Sequence, residues 1–87
     1  MADKIVLKVF AAATNPSEVG RRKAMVTQSA KFFGAVRVDA MDISFESLVL
    51  LVTFDEIEKA MAFQENCKKQ QLLRILEGVP GTSSRMN

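Results

Sequence analysis

Hydrophobic and polar positions change their spacing several times along the chain, and each change marks an element. Residues 4–12 alternate, with Ile5, Leu7 and Val9 on one side and Val6, Lys8 and Phe10 on the other. This predicts a strand with one face only partly covered. Thr14-Asn15-Pro16-Ser17-Glu18 then reads as a helix start. Asn15 is placed to cap, Pro16 fits the first helical position, and Glu18 falls where a capping box wants an acid. The helix is predicted to run to about Phe33, with Val19, Val26, Ala30 and Phe33 as its core stripe, Met25 and Phe32 flanking, and Gly34 as terminator.

Residues 36–40 alternate again, setting Val36 and Val38 against Arg37 and Asp39, so a second strand with one wet face follows. Met41 and Ile43 fall out of that phase, which predicts either a β-bulge near Ala40 or Met41 or the end of the strand. Residues 42–47 supply a hairpin turn. Residues 48–54 are apolar on both faces and read as a central strand, covered by helices on one side and by something else on the other. Asp55 is expected to cap a second helix with Glu58 completing the box, and Ile57, Ala60, Met61 and Cys67 are expected to face inward.

The last apolar run, residues 72–76, fits more helix, a separate short helix or a fourth strand. Helix is favoured, because no Gly or Pro precedes the run and its residues are good helix formers. Gly78, Pro80 and Gly81 close a single domain over residues 1–81, leaving 82–87 as a loose tail.

These elements describe an α+β domain of ferredoxin-like plait type, β-α-β-β-α, with a short fourth strand or an extra helix at its C-terminal end. Both helices would cover one face of the sheet. The other face would carry Val6 and Phe10 from the first strand and Val or Leu from the third. An open apolar face of this kind takes a ligand or a second subunit. With 87 residues the domain also has a thin core, since a chain of this size buries only about 60–65% of its unfolded surface. The expected partners are therefore a second copy, packed sheet against sheet as a homodimer, or a small apolar ligand.

Composition narrows the chemistry. The chain has no His, no Trp and no Tyr, and Cys67 is its one cysteine. Imidazole bases, Cys–His and Ser–His nucleophile pairs and ordinary zinc sites are excluded within one chain. No cofactor or metal is expected. An intrachain disulfide is impossible, and a lone thiol suits a reducing compartment. The first apolar run is interrupted by Lys8 and lacks a basic leader, and the longest, residues 48–52, is too short to span a bilayer. The expected location is cytoplasmic. The net charge of +2 is too small to single out nucleic acid.

Four residues stand as ligand-binding candidates. Phe10 and Phe54 could line a pocket, and Arg37 with Asp39, successive residues on one face of the second strand, could orient a polar group. A core role for the aromatics and an exposed ion pair for Arg37 and Asp39 are the simpler readings. Arg21-Arg22-Lys23, Lys31 and Lys68-Lys69 read as solvated helix faces, since successive helical residues diverge by about 100°. Asp42, Ser44 and Glu46 read as turn chemistry, and Cys67 as a small buried hydrophobe.

Leu51-Val52-Thr53-Phe54-Asp55-Glu56-Ile57-Glu58-Lys59-Ala60-Met61-Ala62-Phe63 resembles the strand-to-helix stretch of the dimeric α+β barrel superfamily, which includes antibiotic-biosynthesis-monooxygenase-like and stress-responsive barrel proteins. Element order and chain length agree with one subunit of such a barrel, so the resemblance implies a homodimer. Its cofactor-independent monooxygenases resemble one another in using Trp, Tyr, Asn and Arg around a phenolic substrate, and its haem-degrading members use a His. Of these the chain offers only Asn and Arg. The leading expectation is accordingly a non-catalytic, self-associating module. The alternatives are a barrel-type monooxygenase or isomerase relying on Arg37, Asp39 and Asn15, and a nucleic-acid-binding plait.

Overall fold

A computed structural model of the chain describes residues 4–43, 47–71 and 73–78. Six elements follow one another: β1 (Ile5–Ala12), α1 (Pro16–Phe32), β2 (Arg37–Ile43), β3 (Ser47–Phe54), α2 (Ile57–Lys68) and β4 (Leu73–Glu77). The strands form one sheet in the order β2-β3-β1-β4, antiparallel at every pairing. Leu7, Val9 and Ala11 of β1, Leu48, Leu50, Val52 and Phe54 of β3, and Leu73 of β4 meet Val19, Val26 and Ala30 of α1 and Ala60, Phe63 and Cys67 of α2 in one buried cluster. Both helices thus pack on one face of the sheet. Among the described residues no helix is long and apolar enough to cross a membrane.

The start of α1 follows from its local chemistry. The Asn15 side-chain oxygen accepts the Glu18 N–H at 3.0 Å, satisfying one of the helix's unpaired donors. The Glu18 carboxylate turns back beyond the cap and accepts from the Thr14 N–H at 3.1 Å and its hydroxyl at 2.9 Å. Those two bonds, the backbone one first, hold the Glu18 carboxyl below its ordinary value. At the far end Gly34 has φ +99°, the left-handed conformation that a glycine adopts without strain.

α2 starts differently from the expectation. Its N-cap is Glu56, whose side chain makes no capping hydrogen bond. The Ala60 N–H donates to the Glu56 carbonyl, so helical hydrogen bonding begins one residue later than a cap at Asp55 requires. Ile57 and Met61, expected inside, are nearly half exposed, at 46% and 43%. The buried arc of α2 is set by Ala60, Phe63, Gln64 and Cys67, and at 3.6 residues per turn Ile57 and Met61 fall on its flank.

The larger correction concerns the last apolar run, which is strand rather than helix over Leu73–Glu77. It pairs antiparallel with β1, placing Leu73 opposite Ala11 and Ile75 opposite Val9. The free edge of β1 offers unpaired backbone groups, and satisfying them outweighs a helix propensity of a few tenths of a kcal/mol per residue. The expected domain end at Gly81 and the tail over 82–87 lie outside the described residues, as do Leu72, Ser44 and Glu46.

Candidate functional site

The sheet has a second face that no helix covers among the described residues, and the strand register orders it into rows. On β1 it presents Val6, Lys8, Phe10 and Ala12, and on β3 Val49, Leu51 and Thr53. Their partners on β2 are Asp42 opposite Val49, Asp39 opposite Leu51 and Arg37 opposite Thr53. On β4, Arg74 lies opposite Phe10 and Glu77 opposite Lys8. The middle of the face is apolar apart from Lys8 and Thr53, and its margins are charged.

Both edge strands carry a bulge. On β2 the register slips between Ala40 and Asp42, so Met41 and Asp42 together oppose Val49. This settles the slipped alternation in favour of a bulge over a strand end. On β4 it slips opposite Lys8 and Val9, so Leu76 and Glu77 together oppose Lys8. Each bulge sets one large apolar residue beside an acid. Met41 and Leu76 are 56% and 45% exposed.

Three of the four candidate residues come together on this face. Phe10 is half-buried, with the Arg74 guanidinium 6.0 Å from its ring centre. The Arg37 Nε lies 2.8 Å from an Asp39 carboxylate oxygen, an exposed pair within one strand. The fourth, Phe54, is set apart. It is fully buried on the helix-covered face, 5.6 Å from the ring of Phe63, which in turn lies 6.0 Å from Phe33. Even-numbered β3 residues point at the helices, so Phe54 cannot share a surface with Phe10.

The chain matches no protein-family model, no curated protein and no solved structure.

The other candidates are dispersed. Arg21, Lys23, Lys31, Lys68 and Lys69 are exposed, and Lys68 pairs with Glu65 at 3.7 Å. Arg22 departs from its neighbours. It is largely covered, its Nε donates to the Ala12 carbonyl at 3.2 Å, and its guanidinium approaches Glu18 at 3.8 Å, which ties α1 to the end of β1. With Met25, Gln70 and Gln71 it lines an open groove of about 330 Å³. Cys67 is buried, and burial pushes its thiol up to about 11.

The sequence alone does not place Arg74, Leu76 and Glu77 on the open face, because the helix favoured over a fourth strand for residues 72–76 gives that segment no sheet register. The signal was nevertheless present: Leu73-Arg74-Ile75 alternates at the period of a strand.

Proposed function

We propose that this chain is a ferredoxin-like plait that acts as a non-catalytic association module, joining a second copy through its open sheet face. The observation that carries the reading is the face itself: Val6, Phe10, Val49 and Leu51 in the middle, broken by Lys8 and Thr53, widened by Met41 and Leu76 at the bulges and flanked by charge. The order β2-β3-β1-β4, with both helices on the opposite face, supports the fold reading. The resemblance of residues 51–63 to the dimeric α+β barrel superfamily points the same way, toward a homodimer.

Burying such a face adds apolar area to a thin core at roughly 25 cal/mol per Å². A four-stranded face lies near the lower limit for a specific interface, about 1,000 Å² in total, the size class of weak and transient complexes. Sedimentation velocity from about 1 to 200 µM is expected to show mass rising from monomer to dimer. Val49→Lys, which charges the centre of the face without touching the helix-covered core, is expected to hold the protein monomeric throughout. A wild-type chain that stays monomeric across that range would overturn the reading. Native mass spectrometry of a monomer carrying a small apolar ligand would replace it with a ligand-binding one.

A further inference from the structure

The rows of the open face have a polarity that specifies how two copies fit. One row reads Asp42, Val49, Phe10, Arg74 across β2, β3, β1 and β4. The next reads Asp39, Leu51, Lys8, Glu77. Within the second row the charges are answered locally: Asp39 holds Arg37 at 2.8 Å, and Lys8 holds Glu77 at 3.4 Å. In the first row they are not. Asp42 has no ion-pair partner among the described residues, and Arg74 rests over an aromatic ring rather than against a carboxylate. After local pairing, one margin of the face keeps an acid and the opposite margin keeps a cation, three strands apart in the same row.

Two sheets stacked face to face lie about 10 Å apart, with strands aligned to within about 30°. A closed pair of identical copies is related by a twofold axis lying between the sheets. If that axis ran across the strands, β2 would lie over its own copy and Asp42 and Asp39 would face the same acidic margin. Like charges brought together in this way cost several kcal/mol. If the axis runs along the strands, the sheet order is reversed in the partner, so β2 lies over β4 and β3 over β1. Asp42 then faces Arg74 of the second copy at both ends of the row, and Val49 and Phe10 interdigitate between them. In the neighbouring row Asp39 approaches Glu77 of the second copy, but each brings its own cation.

We infer that two copies of this chain pair about a twofold axis running along the strands, with Asp42 of each copy opposite Arg74 of the other. The inference rests on the proposed self-association and specifies its geometry. Both residues are exposed and lie on edge strands, so exchanging their charges leaves the core intact.

The test is charge exchange read by sedimentation velocity, with circular dichroism verifying the fold of each variant. D42R and R74D are each expected to weaken the dimer by about tenfold or more, or about 1.4 kcal/mol, since each sets like charges opposite one another twice. The double variant D42R/R74D restores both pairs with reversed sign and is expected to dimerise like the wild type. An equimolar mixture of D42R and R74D is expected to form a heterodimer as tight as the wild-type dimer, although each alone self-associates more weakly. A wild-type dimer indifferent to D42R and R74D, or single variants that fail to recover in the double variant and in the mixture, would overturn this geometry while leaving self-association standing. A monomeric wild type would remove both.

Discussion

Cys67 shows how burial alone decides the chemistry of a group. Its thiol packs in the core between α2 and the sheet, and desolvation raises it from an ordinary 9.0 to about 11. The flanking Lys68 and Lys69 are exposed and do not offset this. A thiol kept neutral and covered is a poor nucleophile, so alkylation of native protein at pH 7.5 is expected to be slow and to match the rate of global opening. Rapid labelling under native conditions would restore Cys67 as a reactive site. The raised value also sets a direction for alkaline stability. The folded state holds the proton more tightly, so the contribution is complete below pH 9 and is lost as pH rises toward 11. Cys67→Ala is expected to flatten that part of a stability profile measured by urea unfolding.

The two helices contrast in how they begin. α1 carries Asn15 as a working cap, and the Glu18 carboxylate secures Thr14 just ahead of it. α2 begins at Glu56 with extended backbone, φ −135° and ψ 132°, and has no side-chain cap. That backbone suits Ser or Asp. Glu56→Ser is therefore expected to stabilise the fold by about 0.5–1 kcal/mol, or a few degrees in Tm for a domain of this size. It gives up an exposed pair with Lys59 at 3.9 Å, which is worth little. Asn15→Ala is expected to cost about 1 kcal/mol in the same melt, while Asp55→Ala should leave Tm nearly unchanged, because Asp55 lies outside the cap. A large loss from Asp55→Ala would show that α2 is capped there after all. The strands contrast as well. β3 is legible as central from its run of apolar residues, whereas β4 is five residues long and is held in the sheet through its pairing with β1.

For a chain of 87 residues the total stability is on the order of 4–13 kcal/mol, so covering a half-exposed sheet face is a substantial addition. If self-association provides that cover, Tm is expected to rise with protein concentration, by several degrees between about 1 and 100 µM, and Val49→Lys should abolish the rise. A concentration-independent Tm in the wild type would count against association in the native state. The charged margins would give such an assembly a salt dependence, since the proposed Asp42 and Arg74 pairs would lie at the rim of the interface, where screening acts.

The α+β class, the course of α1 from Asn15 to Gly34, the central place of β3 and the apolar character of the second face were all legible in the amino-acid order, because each follows from spacing and capping within a few residues. The irregularity at Met41 was legible too, as a slip in alternation that admitted either a bulge or a strand end. What only tertiary structure decided depended on neighbours distant in sequence. Residues 73–77 could serve as helix or strand until the edge of β1 required a partner. Ile57 and Met61 could face inward until Phe63 took that side of α2 against Phe54. Phe54 and Phe10 could share a pocket until the pleat sent them to opposite faces. The open face itself, with its acid at one margin and its cation at the other, required β2 and β4 to lie at opposite edges of the sheet. Strand order is a matter of long-range hydrogen bonding, and no local pattern encodes it.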